Sequence, residues 1–433
     1  MSRKNIARSS AALMLIASAA FAQSSAEVNA GIQYNFSSPG ARSLARAGAF
    51  IGEASDATAA YANPAGLVNV PTREISLEGR SSRFVNSYSD RGHAFGQPSG
   101  MGRDVLIGIH AGRSSDRVSN LSFASIVVPL KRYTVAVYRH ELANFAASAS
   151  SQGVFYEVGY GVQRQYATVS SLRLRIAGAG VAVGFRVTPR VSFGLGVRDY
   201  RSTISSITKR FETAGLFGDP DYTRLNNIQT QHGRDDAFGM NAGVLVDITP
   251  KLSVGGSYRQ GFSSPVTVDY FDVLNQRQIP RPTRFGRFNV PSFYGLGASI
   301  RPTDDWSIAV DVNRVTYSDT TRGFVLLFQG EPRYFVPDGT EIRVGSEVTL
   351  TRDRFTSLPF PISVAFGAWR DPDHSIRVSN LDDSQSILFR KASADYHFTG
   401  GIGVLIQNRA QFHAAFDRSS RQTVVSLSAM ARF

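Results

Sequence analysis

Apolar and polar residues alternate along several segments of this chain. In residues 191–198, 306–313 and 341–348, nearly every second residue is apolar, and the residues between them are small or charged. A period of two is the signature of a β-strand with two unlike faces. Small and charged residues on the polar face suit a lumen better than a packed core. The pattern therefore predicts a barrel whose apolar outer face meets lipid.

The alternation predicts fourteen antiparallel strands, an even number as bacterial single-chain barrels require. They are placed near residues 73–83, 118–129, 132–143, 170–187, 190–205, 236–249, 252–268, 291–301, 304–318, 341–351, 358–370, 395–407, 410–418 and 421–433. Short polar turns at one end and long polar loops at the other join such strands. The long loops are expected near 205–236, 270–290, 318–340 and 371–395, and a loop hairpin is expected within 153–166.

One predicted strand changes phase along its length. Its apolar residues occupy even positions in 172–176 and odd positions in 181–185, with Gly-Ala-Gly at 178–180 between them. Glycine permits a strand to bulge or bend. We therefore predict a bulge or kink at 178–180.

The first residues have the pattern of a secretory signal. Arg3, Lys4 and Arg8 precede a short apolar run, and Ala20-Phe21-Ala22 matches the small-x-small cleavage pattern. We expect residues 1–22 to be removed between Ala22 and Gln23. The apolar run is shorter than the roughly 20 residues that a membrane-spanning helix needs, which disfavours the alternative of a retained anchor.

Composition narrows the possible partners. The net charge is +13, of which three positive charges lie in the signal, so the remaining chain is near +10. The basic residues are scattered, so we expect contact with anionic lipid headgroups and no nucleic acid. The chain has no cysteine, which excludes disulfides, thiol catalysis and cysteine-based metal sites.

The sequence carries no catalytic or metal-binding motif. It lacks the G-x-S-x-G, H-E-x-x-H and P-loop patterns, and its seven histidines have no metal-ligand spacing. We therefore expect no catalytic residue, no metal and no cofactor. His140-Glu141 is the densest polar cluster, and we expect it at a strand rim.

Residues 37–70 do not alternate and are rich in small side chains. Asp56 can cap a short alanine-rich helix, and Asn63 followed by Pro64 has the pattern of a second helix start. Gly66 allows the chain to turn out of that piece. We predict three regions, namely a signal at 1–22, a helical or irregular plug at 23–70, and a barrel at 71–433.

The plug sequence from Gly48 to Leu67, with its D-A-T-A-A-Y-x-N-P-A-G-L block, resembles the FadL/TodX family of outer-membrane transporters. Tyr294 to Asp311, Tyr317-Ser318, 397–401 and the terminal Phe433 also resemble that family. The resemblance implies a 14-stranded barrel blocked by an N-terminal hatch, with a lateral opening in its wall. It also implies that hatch and gating residues include Asn63, Pro64, Ala65 and Gly66.

The expected fold is therefore an all-β, transmembrane antiparallel β-barrel in a Gram-negative outer membrane, with a small plug in its lumen. A secreted β-sandwich is the less fitting alternative. The expected function is passive uptake of hydrophobic small molecules, such as long-chain fatty acids or aromatic hydrocarbons, gated by the hatch. The alternatives are a FadL-like barrel that serves as a protein-secretion or assembly partner, and an outer-membrane hydrolase.

The expected partners are a hydrophobic ligand, outer-membrane lipid and lipopolysaccharide, and the barrel-assembly machinery. Phe433 ends a run of alternate apolar residues in the last strand, and we interpret it as the barrel-assembly signal. The residues that line a ligand site, and the position of a lateral opening, stay open at this level.

Overall fold

The computed structural model describes residues 33–36, 38–159, 161–323, 334–351, 360–379, 384–407 and 409–433. Within them, fourteen antiparallel strands close into one barrel, which confirms the predicted fold. The strands are β1 (Glu74–His93), β2 (Gly108–Pro129), β3 (Tyr133–Ser151), β4 (Ala167–Thr188), β5 (Val191–Thr213), β6 (Pro220–Thr249), β7 (Leu252–Arg259 and Phe262–Leu274), β8 (Arg284–Val290 and Phe293–Thr303), β9 (Trp306–Val315), β10 (Gly339–Leu350), β11 (Ile362–Asp371), β12 (Asp395–Ile406), β13 (Ala410–Arg418) and β14 (Gln422–Arg432).

The last strand pairs with the first, so the sheet has no free edge. The β1–β14 register runs from Glu74 opposite Arg432 to Phe84 opposite Gln422. In a bilayer core, main-chain N–H and C=O groups find no water, and closure gives the first and last strands partners within the sheet.

Smaller elements lie inside and above the barrel. The lumen holds the helices α1 (Ala41–Ala45) and α2 (Ala59–Ala62) and the 3-10 helices Ile51–Glu53 and Pro64–Asn69; the loops hold the 3-10 helices Tyr317–Thr321 and Ser384–Ile387 and the short strands Phe155–Val158, Gly161–Arg164, Arg277–Pro280, Tyr334–Phe335 and Arg377–Val378. Phe155–Val158 pairs with Gly161–Arg164, so the predicted loop hairpin is confirmed. Among the described helices, none has the length and apolar character to cross a membrane.

The two faces of the strands differ as predicted. Val310 on β9 points outward and is 40% exposed, whereas its neighbour Asp311 is fully buried in the lumen. Tyrosines on β7 and β8, Tyr258 and Tyr294, lie at the outer edge of the apolar surface, with ring centroids 5.1 Å apart. Trp306 lies beside a turn at the opposite edge. An apolar belt with aromatic residues at both edges is the lipid-facing surface of an outer-membrane barrel.

Two of the short turns share a Thr-Pro pair and one hydrogen-bond pattern. In Thr-Pro-Arg at 188–190, the Thr188 hydroxyl accepts hydrogen bonds from the main-chain N–H groups of Arg190 and Val191, at 3.2 and 3.0 Å. Thr249 accepts the same pair from Lys251 and Leu252. A threonine side chain therefore satisfies the N–H groups that each turn removes from the sheet.

Several strands extend further than the alternation predicts. β5 and β6 occupy most of the 205–236 stretch, and β7 and β8 enter 270–290, so neither stretch is the long loop predicted there. Outside the apolar belt both strand faces meet water or loops, and hydrophobic alternation disappears while the backbone ladder continues. Sequence periodicity marks where lipid ends, and the hydrogen bonds mark where the strand ends.

The predicted bulge at 178–180 is wrong. β4 stays in unbroken register with β5 from Ala167 to Arg186, and its even-numbered side chains face inward on both sides of the glycines. The apolar residues change sides because the outer half of the lumen is itself apolar. The irregularity lies in the neighbouring strand β3, where Leu142 is an extra residue between Glu141 and Ala143.

A charge on the lipid face tests this placement. Val310→Arg should destabilise the inserted barrel by on the order of 2–4 kcal/mol, because Val310 lies within the apolar belt. Ser318→Arg adds the same charge to an exposed residue beyond the end of β9 and should change stability little. Urea unfolding in lipid vesicles measures both variants. Equal loss of stability would contradict the assigned membrane position.

Candidate functional site

The lumen is filled by residues 38–70, which we call the hatch. Its four short helices are almost entirely buried. Helices this short leave most of their main-chain N–H and C=O groups without partners inside the helix. The barrel wall supplies those partners, and the contacts define the site.

Carboxylates on the wall accept hydrogen bonds from the hatch main chain. Asp311 on β9 receives the N–H groups of Phe50 and Ile51 at 2.8 and 3.0 Å. On β1, Glu78 accepts from the N–H of Gly40 at 2.8 Å. These carboxylate oxygens accept main-chain N–H groups that such short helices leave without partners, so the contacts fix the path of the hatch.

Amide and hydroxyl groups on the wall donate to hatch carbonyls. Asn241 on β6 donates to the carbonyls of Ala60 and Tyr61, at 3.0 and 3.2 Å. Ser257 on β7 donates to Ala62 at 2.6 Å, at the end of α2. The inward polar face of the strands therefore acts as a set of caps for the hatch helices.

A buried charge cluster ties the first half of the hatch to β10. Arg42 and Arg46 of the hatch lie 2.8 and 3.5 Å from Glu347 on β10, and Arg46 lies 2.8 Å from Glu53. Burial alone would raise the pKa of Glu53, but Arg46 and Arg42 outweigh it and lower the value to about 2. The stability from this ionised carboxylate is present above its ordinary pKa of 4.5 and is lost as pH falls toward about 2.

The sequence-predicted hatch residues Asn63, Pro64, Ala65 and Gly66 lie together and are buried against the wall. Asn63 caps the 3-10 helix Pro64–Asn69, accepting the N–H of Ala65 at 3.2 Å. Its amide nitrogen also donates to the carbonyls of Ile51 and Val244, at 2.9 and 3.1 Å. Asn63 therefore joins two pieces of the hatch to each other and to β6.

Two local expectations need correction. Gly66 does not have a left-handed backbone; glycine is required because a Cβ there would overlap Ala54. Thr58, and not Asp56, is the cap residue of α2, while the Asp56 carboxylate accepts the Thr58 N–H at 2.9 Å in the preceding turn.

Wall glycines make room for the Asn63–Gly66 segment, and the sequence analysis missed them. A Cβ at Gly194 on β5 or Gly184 on β4 would collide with Pro64, and one at Gly243 on β6 would collide with Asn63. These glycines face inward on three consecutive strands, so the hatch lies directly on the wall backbone. The sequence does contain a sign of them, because each of these glycines occupies the polar, inward face of a predicted strand next to another such strand.

Above the hatch, the ring of Tyr61 is enclosed by aromatic and basic side chains of the wall. The His140 ring lies 4.2 Å from the Tyr61 ring, and the guanidinium groups of Arg259 and Arg198 lie 4.7 and 5.1 Å from its centroid. His140 is thus fully inside the barrel and not at a strand rim as expected. A small cavity of about 50 Å³, which we call the inner cavity, lies beside this group and is also lined by Leu142.

Arg259 has spare hydrogen-bonding capacity at this cavity. It is 7% exposed, and its guanidinium stacks 3.5 Å from the centroid of Phe293. Its Nε and Nη1 atoms have no hydrogen-bond partner among the described residues. Buried donors without an acceptor are costly, so this position favours an acceptor supplied by a ligand.

An apolar column rises from the inner cavity toward the outer end. It consists of buried and half-buried side chains of β1, β3, β4, β5, β7 and β8, including Phe84, Leu142, Phe145, Leu172, Leu174, Ile176, Ile204, Phe262, Phe288 and Val290. Near its outer end lies a cavity of about 280 Å³, the outer cavity, whose lining combines apolar residues such as Val85 and Ala149 with polar ones such as Ser87, Ser151 and Arg421. Along the column the lumen is therefore apolar where a soluble-solute channel would be polar.

Backbone pairing between β2 and β3 stops halfway up the wall. It runs from Pro129 opposite Thr134 to Phe123 opposite His140. Beyond that point β2 pairs with β1 and β3 pairs with β4, which leaves a seam in the ladder. Leu142, the extra residue of β3, lies at the start of the seam.

Side chains bridge the seam where the ladder is missing. Glu141 of β3 accepts a hydrogen bond across the seam from Asn120 of β2, and it is held on its own side by Asn144 at 3.1 Å and Arg175 of β4 at 3.2 Å. Further out, Ser148 donates to the Asp116 carboxylate at 2.8 Å. These contacts can separate without breaking main-chain pairs.

The remaining predicted site residues lie elsewhere. The cleavage site at Ala22 and Gln23 lies outside the described residues. Phe433 follows the end of β14, is 65% exposed on the outer face, and donates its N–H to the Arg73 carbonyl at 3.1 Å. Its role in assembly stays a prediction. The described residues contain no group of three or more histidine, aspartate and glutamate side chains placed to hold a metal.

Comparison with known proteins agrees with this geometry. The model of the outer membrane protein transport family (OMPP1/FadL/TodX) matches residues 15–322. No curated protein matches the chain significantly. Similar solved structures include a Pseudomonas aeruginosa FadL homologue (TM-score 0.63, 13% identity, 92% of this chain and 100% of that one). The toluene transporters TodX of P. putida (0.60, 13%, 92% and 99%) and TbuX of Ralstonia pickettii (0.58, 15%, 93% and 100%) are also similar. At these identities the structures establish a shared fold.

Removing Asn63 tests how the hatch is held. Asn63→Ala deletes three hydrogen bonds and should loosen the hatch by roughly 2–4 kcal/mol, because two buried carbonyls lose their donor. The barrel ladder does not involve this side chain, so the folded barrel should persist. Hydrogen exchange of residues 41–67 should therefore accelerate while the strands stay protected.

Asn69→Ala is the matched control. Asn69 ends the same 3-10 helix, is exposed, and bonds only to the Arg186 side chain among the described residues. Its loss should leave exchange in the hatch unchanged. Unaltered protection in Asn63→Ala would show that the wall holds the hatch without this residue.

Proposed function

Because the chain belongs to the outer membrane protein transport family of OMPP1, FadL and TodX, we propose that it takes up amphiphilic hydrophobic molecules passively across the outer membrane. Family membership makes it an outer-membrane channel for hydrophobic substrates. The apolar column between the outer and inner cavities carries the finer proposal, since its packed apolar side chains extend from one cavity toward the other and could part around an apolar ligand.

The proposed route leaves the barrel sideways. The hatch fills the lumen below Tyr61, so a ligand in the inner cavity has no straight path through it. Leu142 both lines that cavity and marks the start of the β2–β3 seam. Exit there would separate only side-chain hydrogen bonds and would release an apolar ligand toward lipid. Movement of Tyr61 and the Asn63–Gly66 segment would gate access to the cavity.

Arg259 supports a substrate with an anionic head and an apolar tail, as in a long-chain fatty acid. A carboxylate in the inner cavity would supply the acceptors that its Nε and Nη1 lack, while the tail would lie along the apolar column. CymD, TodX and TbuX are described as channels or transporters of monoaromatic hydrocarbons or toluene. Such neutral ligands would leave the Arg259 donors unsatisfied.

The family match favours transport over the alternative of a protein-secretion or assembly partner. Stable co-purification of another protein would favour that alternative.

Deleting residues 37–67 tests the role of the hatch. The variant barrel should still insert, because its ladder closes without the hatch. It should admit small polar solutes, since the wall carboxylates and arginines that now contact the hatch would line a water-filled lumen. Dye or antibiotic permeability of cells measures the leak. Faster migration of the unheated than of the boiled protein on a denaturing gel confirms a folded barrel. A folded, hatchless barrel that stays impermeable would refute occlusion by the hatch.

Substitution of Arg259 tests the substrate. Arg259→Met keeps an unbranched, though shorter, side chain and removes the charge, and it should slow uptake of labelled fatty acid about tenfold or more, for a lost charge-assisted bond of about 1.5–3 kcal/mol. Toluene uptake should be unchanged or faster. Arg314→Met, on the outer face, is the matched control and should affect neither. Equal slowing of both substrates would point to a structural role for Arg259 and would favour a neutral ligand.

A further inference from the structure

Arginines cluster on the outer face of β4, β5 and β6, above the apolar belt. The strand register places Arg175 of β4, Thr203 of β5 and Arg234 of β6 in one row across the three strands. Arg201 lies on β5 in the row below, and Arg173 lies on β4 in the row above. All four arginines are exposed on the outward face.

The register also gives the size of this arginine patch. Strands lie about 4.8 Å apart, and alternate residues along a strand are about 6.6 Å apart. The Cα atoms of Arg173, Arg175, Arg201 and Arg234 therefore fall within an area of about 10 by 13 Å. Four guanidinium groups on long side chains can converge on one or two small anions across that distance.

Acidic neighbours neutralise only part of the patch. Asp236 binds Arg201 through two hydrogen bonds of 2.7 and 3.1 Å, and Glu141 lies 3.2 Å from Arg175. Arg173 and Arg234 have no hydrogen bond or ion pair among the described residues. Asp236 also attracts Arg234, and Asp199 attracts Arg201. Three carboxylates thus face four arginines, and the Arg173 and Arg234 guanidinium groups keep hydrogen-bond donors for an anion in the surroundings of the barrel.

An apolar surface lies directly below the patch. Val181 of β4, Val197 of β5 and Met240 of β6 form one outward row, and Phe238 lies above Met240. Val181, Val197, Met240 and Phe238 are exposed, as lipid-facing residues are. The patch therefore lies where the acyl chains of the outer leaflet end and the headgroups begin.

Elsewhere at this edge, the outward arginines of β9 and β11 are single, whereas Arg418, Arg83 and Arg117 of β13, β1 and β2 lie in one row across the strands. Arg314 pairs across strands with Tyr294, Arg370 with Tyr396, and Arg418 with Phe398. One arginine beside one aromatic ring is an ordinary interfacial anchor. The β4–β6 patch differs from these single anchors because four outward arginines lie close together on three adjacent strands.

We propose that the outer face of β4–β6 binds the phosphate groups of lipopolysaccharide, the phosphorylated glycolipid of the outer leaflet. Arginine binds phosphate through paired N–H donors, and basic clusters next to a membrane surface recognise anionic lipid headgroups. The glycolipid phosphates would lie over Arg173 and Arg234, and its acyl chains would lie against the Val181–Met240 row. This binding site faces lipid and is separate from the lumen.

Binding of purified lipid A to the folded barrel in detergent tests the proposal. The bisphosphorylated form should bind the native chain, and dephosphorylated lipid A should bind roughly tenfold or more weakly. The double variant Arg173→Ser/Arg234→Ser should bind bisphosphorylated lipid A more weakly than the native chain does, by a similar factor. Arg314→Ser/Arg370→Ser removes two charges at the same height on the opposite side and should bind as the native chain does.

Three results would overturn the assignment. They are equal binding of the two lipid A forms to the native chain, equal loss in both double variants, and equally tight binding of phosphatidylglycerol. The comparison of lipid A forms uses the native chain, so it decides the question even if a variant fails to assemble. Fatty-acid uptake measured in parallel should be unchanged in Arg173→Ser/Arg234→Ser, which separates this site from the transport route.

Discussion

Main-chain hydrogen bonding in a space without water is the constraint on which the rest of this structure depends. The barrel meets it by pairing β14 with β1, so that the strands satisfy one another everywhere except at the β2–β3 seam. The hatch cannot meet it alone, because its helices are a single turn or two long. Wall side chains such as Asp311, Asn241 and Ser257 supply the missing donors and acceptors.

The proposed gating requires that the hatch can move inside a rigid barrel, and the wall contacts are compatible with such movement. The hatch depends on the wall, whereas the wall does not depend on the hatch for its ladder. Local contacts at Asn63, Glu53 and Glu347 therefore set the stability of the hatch. A similar separation occurs at the β2–β3 seam, where side chains replace main-chain pairs. Both places can rearrange at the cost of a few side-chain contacts while the remaining strands stay paired.

The two surfaces of the wall use arginine in different ways. Inside, Arg42 and Arg46 are neutralised by hatch and wall carboxylates, and Arg259 keeps unpaired donors beside the inner cavity. Outside, arginine follows the apolar belt on strand after strand, because the edge of the belt meets anionic headgroups. The scattered positive charge of the chain thus lies partly in the lumen, beside the hatch and the inner cavity, and partly on the outer surface, next to the apolar belt.

Sequence alone determined the barrel, the strand number, the facing of residues such as Val310 and Asp311, and the cap at Asn63. Each depends on a local pattern, either a period of two or a residue beside proline, which physical chemistry converts directly into structure. Tertiary structure decided the rest. The change of apolar phase within residues 172–185 predicted a bulge, but the strand is regular. Its inward side chains at 172–176 are apolar because they face the apolar column in the outer half of the lumen. The grouping of Tyr61, His140 and Arg259 also required the fold, since strand tilt and register bring residues from distant parts of the chain to one height, and no local pattern encodes that height.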